Sequence, residues 1–209
     1  MGPTAKPPAP GDPMARTLEF YFDYLSPYSY LANTQVPALA ERTGAEVVYR
    51  PVLNGGVVTA SENKPPPMVP AKLRYMGVDL ARWVKRFGVP LAPPAGLMNT
   101  LRALRGAIAL QQDGGDFLTY HEAVFKGAFV DGRDLSDVAN VLDIAAKGGL
   151  DAQKLAERME DPAVKEKLKA DTAAAVERGL FGVPTFFVND EMFFGVDHLD
   201  FVEEALNAS

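Results

Sequence analysis

Ser26-Pro27-Tyr28-Ser29 sets two hydroxyls three residues apart, directly after the apolar run Phe20-Tyr21-Phe22. Serine followed by proline is a favoured helix start, with Ser26 as N-cap and Pro27 as the first helical residue. Unpaired backbone N–H groups and the positive end of the macrodipole converge there, and anions, a thiolate among them, are stabilised. Ser26 therefore suits the task of donating a hydrogen bond to an ionised sulfur. A nucleophilic Ser26 needs a general base within reach, and the two histidines, His121 and His198, stand in no triad context. The four residues also spell a C-P-x-C dithiol motif with serine at both cysteine positions. The chain contains no cysteine, so sulfur chemistry here requires a thiol carried by another molecule. A plain N-cap is the alternative reading of Ser26.

A second motif, Phe181-Gly182-Val183-Pro184-Thr185, bears on that choice. Proline removes a ladder donor and belongs at the start of a strand rather than inside it. A cis Val183–Pro184 bond would present the Val183 backbone N–H and C=O for β-type pairing with an extended peptide; a trans strand entry is the alternative. A peptide that brings its own thiol is glutathione, and it is the cofactor expected here. Asp23 and Tyr24 flank Ser26 at the strand end. Asp23 reads either as a buried carboxylate of shifted pKa or as a cap on the neighbouring turn.

The elements that must position these residues follow from periodicity. Residues 17–24 form a buried strand, a helix runs from Pro27 past Leu39 with a bend at Pro37 and ends near Gly44, and 46–51 form a second strand. The stretch 54–70 is a proline-rich loop, and 71–179 is almost wholly helical. One helix starts near Asp79 with Leu80, Trp83, Val84 and Phe87 on one face and is broken at 90–94. Another is capped by Asn99, and more follow at 117–126, 135–147, 152–159 and 162–178. Strand character returns at 184–189, turns at Asn189-Asp190, pairs back through 192–194, and gives way to a helix over 196–207. The order βαβ, helices, ββα predicts an α/β fold: a thioredoxin-like domain (16–64 and 180–209) interrupted by an all-helical insertion (65–179). Residues 1–15, rich in Pro, Gly and Ala, read as a disordered leader, with Met14 a plausible alternative start.

The 209 residues are 47% hydrophobic and 23% charged, with a net charge of −6. No dense run of Lys or Arg offers a surface to nucleic acid or anionic membrane, and no apolar run reaches the ~18 residues that span a bilayer. Lack of cysteine excludes disulfides and thiolate metal sites, and two distant histidines argue against a histidine metal site, so no metal is expected. The expected address is the cytoplasm. Trp83 and Phe87 read as core, Asn99, Arg102 and Arg105 as surface, and His121 receives no role.

Three segments in order, FYFDYLSPYSYLA, ENKPPPMVPAKLRYMGVDLARW and GLFGVPTFFVNDEMFFGVDHLDFVEEAL, resemble the 2-hydroxychromene-2-carboxylate isomerases and kappa-class glutathione transferases, a thioredoxin-like family. The resemblance covers roughly residues 18–206. It implies that Ser26 binds the glutathione sulfur, Asn63 contacts glutathione from the loop after the second strand, and Lys72 lies near the glycyl carboxylate. It further implies that Val183 and Pro184 supply the backbone pairing, and that Asp197, with His198, receives the γ-glutamyl end. The implied activity is a glutathione-dependent isomerisation: the thiolate adds to an unsaturated oxo acid, the ring opens, a single bond rotates and glutathione is eliminated unchanged. A kappa-like transferase that conjugates electrophiles is the alternative, and a non-catalytic peptide-binding module the second. A homodimer with a small apolar or aromatic substrate is implied. The chain departs from the pattern at His198, where arginine is frequent, and around Val57-Val58-Thr59, where some isomerases carry a lysine.

Overall fold

The computed structural model describes residues 16–92 and 96–208. The expected leader, Met14, Pro93 and Pro94 lie outside the described residues. Four strands form one mixed sheet in the order β2-β1-β3-β4. Strand β1 (Thr17–Phe22) pairs in parallel with β2 (Glu46–Pro51) and antiparallel with β3 (Thr185–Val188), which turns through Asn189-Asp190 into β4 (Glu191–Phe194). Asn189 takes the turn with a φ of 55°, a conformation asparagine tolerates better than most residues.

Alternation along β1 sends side chains to opposite faces, and both faces are covered. Leu18, Phe20 and Phe22 join Phe186 and Val188 in the main apolar core, where Phe20 stacks on Phe186 with centroids 5.2 Å apart. Tyr21 and Phe187 face a smaller cluster with Val52, Val57, Ala175, Leu180 and Val183. The Arg178 guanidinium closes that side, 3.9 Å above the Phe187 ring and paired with Glu19 at 2.8 Å.

Ten helices follow the expected order among the described residues, with three corrections. The expected bent helix is two: α1 (Pro27–Asn33) and α2 (Val36–Thr43). Pro37 has no N–H to offer the Asn33 carbonyl, so the chain restarts its helix with proline in the first turn. The expected loop over 54–70 contains α3 (Asn54–Ala60) and a short 3-10 turn, Pro66–Met68. Its Gly55-Gly56 pair has poor helix propensity. What supports α3 is remote: Thr172 Oγ1 accepts from Leu53 N at 3.1 Å and Asp23 Oδ2 from Asn54 N at 2.9 Å. Helix α4 (Pro70–Phe87) begins well before Asp79, with Pro70 at its first position after an extended Val69.

Helices α5 (Leu101–Asp113), α6 (Phe117–Phe129), α7 (Val138–Lys147), α8 (Ala152–Met159) and α9 (Pro162–Glu177) occupy the stretch before β3, and α10 (Leu199–Ala208) closes the chain. Trp83 and Phe87 pack against the main core as expected. His121, on α6, is fully buried in an aromatic cage of Phe22, Tyr24, Tyr49, Phe117 and Phe125. Its Nδ1 pairs with the Tyr24 hydroxyl at 3.1 Å and its Nε2 with Asn33 Oδ1 at 2.8 Å. Asn33 Oδ1 can only accept, so Nε2 carries the proton and Nδ1 accepts from Tyr24.

Two predictions follow from this packing. Gly106 of α5 sits under the Tyr120 hydroxyl and the Met159 methyl, so a Cβ there must displace both. Gly106→Ala is expected to lower unfolding free energy by ~1–3 kcal/mol, read from urea denaturation, despite the gain in helix propensity. Burial also depresses the His121 pKa from 6.5 to about 3. The unfolded chain therefore binds the extra proton first, and stability from His121 is present above pH 6.5 and lost as pH falls toward 3. Relative to His121→Gln, the wild type should lose ~1.4 kcal/mol per pH unit across that window. Groups common to both proteins cancel in the difference, and equal acid slopes would refute it.

Candidate active site

The site is built at the carboxyl end of β1, where the chain leaves the sheet through Asp23 and Tyr24 and enters α1. Ser26 is the N-cap of α1: its Oγ accepts from Ser29 N at 3.1 Å, and its N–H donates to the Asp23 carbonyl at 3.1 Å. Pro27 has no N–H, and that of Ser29 is taken by Ser26, so Tyr28 holds the amide left over in the first turn. The two serines are not equivalent. Ser26 retains 6% exposure while Ser29 has none, and the Ser29 hydroxyl has no hydrogen-bond partner. The first position of the motif is thus the one that can meet a ligand.

The second motif arrives at the same point. Ser26 Oγ donates to the Val183 carbonyl at 3.4 Å, and the Val183–Pro184 bond is cis. Pro184 in turn accepts from Gly195 N at 3.0 Å, which fixes the turn carrying Asp197 and His198. That 3-10 turn, Val196–His198, packs against α1. Asp197 Oδ1 lies 3.3 Å from His198 Nδ1, and the Asp197 side chain is largely exposed. Gly195 has a φ of 100°, and the Asp197 carboxylate lies where a Cβ would project.

Asn63 reaches across the motif from the other side, its Nδ2 donating to the Phe181 carbonyl at 2.8 Å. Lys72, on the first turn of α4, rests its Nζ on the Lys64 carbonyl at 3.3 Å. Lys72 lines a cleft of about 430 Å³ with Tyr28, Pro66, Ala71, Tyr75 and Met76. Tyr28 therefore joins the two halves, standing two residues beyond Ser26 and forming one wall of the cleft. Its hydroxyl donates to Asp79 Oδ2 at 2.9 Å, and burial with that carboxylate raises its pKa, so the phenol stays protonated.

Of the seven residues singled out from sequence, Ser26 meets Val183 directly, Pro184 holds Gly195 beside Asp197 and His198, Asn63 bonds the Phe181 carbonyl two residues before Val183, and Lys72 shares a cleft with Tyr28. The donor set suits glutathione by its chemistry. A cation and a carboxylate accompany a hydroxyl, a first-turn amide and the Val183 carbonyl that the hydroxyl now holds, groups that suit a zwitterionic thiol tripeptide.

Sequence reasoning missed Tyr28 and Asp79, although Tyr28 stands inside the Ser-Pro-Tyr-Ser motif and Asp79 one turn beyond Tyr75 on the same helix. It assigned Asn99 as the cap of α5. Asn99 Oδ1 does accept from Leu101 N at 3.1 Å, but the residue at the N-cap position is Thr100, whose hydroxyl donates instead to Asp23 Oδ1 at 2.6 Å. Asp23 itself is fully buried, and that burial pushes its pKa up to about 6 against three hydrogen bonds that favour the ionised form. Both readings of Asp23 hold at once, since its Oδ1 also accepts from Leu25 N at 3.1 Å to close the turn.

The DsbA-like thioredoxin domain family matches residues 17–207. The chain is 37% identical to a 2-hydroxychromene-2-carboxylate isomerase of Sphingobium xenophagum, over 92% of this chain and 99% of that one. It is 29% identical to glutathione S-transferase kappa 1 of Rattus norvegicus, over 90% of this chain and 89% of that protein. A solved 2-hydroxychromene-2-carboxylate isomerase superposes with a TM-score of 0.83 at 33% identity, covering 92% and 95% of the two chains. With its sheet order, its serine-capped α1 and its proline-led β3 in common cause with these matches, the chain belongs to the 2-hydroxychromene-2-carboxylate isomerase family within the DsbA-like thioredoxin domains.

Proposed function

We propose that this protein is a glutathione-dependent isomerase of 2-hydroxychromene-2-carboxylate type. The observation that carries the reading is the meeting of Ser26 Oγ with the Val183 carbonyl at 3.4 Å, across 157 residues of sequence. It puts a hydroxyl, a helix start and a peptide-pairing backbone at one point, in a chain without a cysteine. When bound, glutathione supplies a nucleophilic thiolate that adds reversibly to the unsaturated oxo acid.

The protein's own groups would act as follows. Ser26 turns its hydroxyl from the Val183 carbonyl to the sulfur and, with the Tyr28 amide, favours the ionised form. Val183, so released, pairs with the cysteinyl main chain. Asp197 receives the ammonium and His198 the carboxylate of the γ-glutamyl end, Lys72 the glycyl carboxylate, and Asn63 fixes the strand entry while contacting the tripeptide. The cleft between Tyr28 and α4 would admit the aromatic substrate against its apolar wall of Pro66, Ala71 and Met76. In this reading 65–179 is an insertion that walls the pocket of a thioredoxin-like domain.

The kappa-class relatives support a second reading, in which the thiol is conjugated rather than returned. An isomerase leaves the glutathione concentration unchanged after complete conversion; a transferase consumes it in proportion to product. We assign the protein to aromatic catabolism in the cytoplasm; among the described residues no helix is long and apolar enough to cross a membrane. A homodimer is the expected assembly.

Calorimetric titration of the wild type with glutathione tests the premise. Ser26→Ala should reduce glutathione-dependent turnover by about 100-fold or more, the range for one lost donor to a developing or held anion. The lost cap should cost only ~1 kcal/mol of stability. Turnover retained in a folded Ser26→Ala protein would remove Ser26 from the chemistry. Lys72→Met should weaken glutathione about threefold at low salt, as for a solvent-exposed ion pair, and the difference should vanish for glutathione esterified at the glycyl carboxylate. A loss that persists with the ester would place Lys72 elsewhere.

A further inference from the structure

Asp23 is the one carboxylate among the buried polar residues of the described chain. No Lys, Arg or His is among the groups that act on it; its partners are Leu25 N and Thr100 Oγ1 on Oδ1, and Asn54 N on Oδ2. A buried carboxylate without a cation persists only when its oxygens are filled with donors. Here those donors come from three separate places. Leu25 belongs to the turn into Ser26, Asn54 is the first residue of α3, and Thr100 is the N-cap residue of α5. Two helix starts point at one carboxylate, and the third, that of α1, is held to the same residue because Ser26 N donates to the Asp23 carbonyl at 3.1 Å. The segment leaving α3 then carries Asn63, whose N–H is bound to Val58 of that helix at 3.1 Å.

We propose that Asp23 is a positioning residue for the thiol site: its ionised carboxylate clamps the Ser26 turn to the starts of α3 and α5 and so sets where Ser26 and Asn63 stand relative to each other. This rests on the reading of Ser26 as the sulfur ligand. Asp23 itself has no exposed surface and touches no ligand. The titratable neighbour that senses it is Tyr24, a buried phenol whose ionisation burial and the Asp23 charge both oppose, so it stays neutral throughout. From α3 and α5 only the uncharged Asn54 and Thr100 meet the carboxylate. The clamp is therefore complete above pH about 6 and weakened as pH falls through that value.

Asparagine cannot replace it. An amide turned either way sets its NH₂ against the Leu25 or the Asn54 N–H, because both oxygens of the carboxylate accept from backbone donors. Asp23→Asn should fold, yet bind glutathione about tenfold more weakly at about pH 7.5 by calorimetry, with the Leu25 and Asn54 amides exchanging faster than core amides of equal global protection. Wild-type affinity should fall as pH is lowered through about 6, and Asp23→Asn should be flat across the same interval, with His198→Gln run in parallel to isolate any histidine contribution. In the wild type itself, without any variant, the Leu25 and Asn54 amide NMR signals should titrate together with a midpoint near pH 6. That measurement stands even if Asp23→Asn fails to fold. Static Leu25 and Asn54 signals between about pH 5 and 7, or wild-type affinity in a folded Asp23→Asn, overturn the clamp. A wild type that binds no glutathione overturns the sulfur reading of Ser26 instead, and the amide titration separates the two results.

Discussion

Three helices begin around the carboxyl end of β1, and the polar groups orphaned at their starts need acceptors in a place that excludes most water. This constraint orders the whole region. Helix α1 meets it with its own serine, α5 with Asn99, and α3 with a carboxylate borrowed from the end of the strand, which also takes the Thr100 hydroxyl at the start of α5. The alternative, leaving such donors unpaired, costs ~1–3 kcal/mol for each buried group. Once the donors are satisfied, what remains over is small and directional: one hydroxyl, one amide in the first turn of α1, and the backbone of Val183. On the proposed reading, a site for an anionic sulfur is what remains of a hydrogen-bond problem that the fold has otherwise solved.

Asp23 shows that the solution runs against stability. Its pKa rises from 3.8 to about 6 on folding, so the folded state holds the proton more tightly than the unfolded chain. The sign follows: its favourable contribution is greatest below pH 3.8 and declines as pH rises through 6. His121 behaves in the opposite sense, buried neutral and resisting protonation down to about 3. Between pH 3.8 and 6 the two slopes oppose each other, each of order 1.4 kcal/mol per unit. Near neutrality the protein thus keeps a charged group in its interior at a net cost, which is the pattern expected where geometry at a working site outranks stability.

The fold was legible in sequence wherever local chemistry decides. Ser26-Pro27 named its own helix start, the Asn189-Asp190 turn its hairpin, and Pro184 the head of β3. Sequence failed where the deciding partner is remote. Helix α3 has glycines at its second and third positions and looks like loop, because the groups that hold its start, Asp23 and Thr172, lie 31 and 119 residues away from the amides they bind. Asn99 looked like the cap of α5 for the same reason: nothing nearby reveals that the Thr100 hydroxyl is committed to Asp23. Nothing local to Tyr28 reveals that its hydroxyl reaches Asp79, tying α1 to α4 and building the cleft wall. The candidate residues Ser26 and Val183, by contrast, were legible because each stands in a short motif with its own local chemistry, and the topology brings those two motifs into contact.

The arrangement also bears on which half of the chemistry this chain controls. Groups suited to glutathione are held by backbone and by short side chains on rigid elements: Ser26 on a capped helix, Val183 beside a proline, Asn63 on the Phe181 carbonyl. Groups facing the cleft from α4 include the long side chains of Lys72, Met76 and Tyr75, the last 60% exposed. Rigid elements hold geometry to a fraction of an ångström, while exposed side chains adapt at low cost. On the proposed reading, a protein built this way fixes the sulfur and lets the electrophile vary. Selectivity between returning the thiol and keeping it then resides in the substrate: an adduct that can rotate and expel the thiol is released as isomer, and one without that route departs as conjugate. One scaffold can therefore be shared by the isomerases and the kappa-class transferases to which the chain is similar.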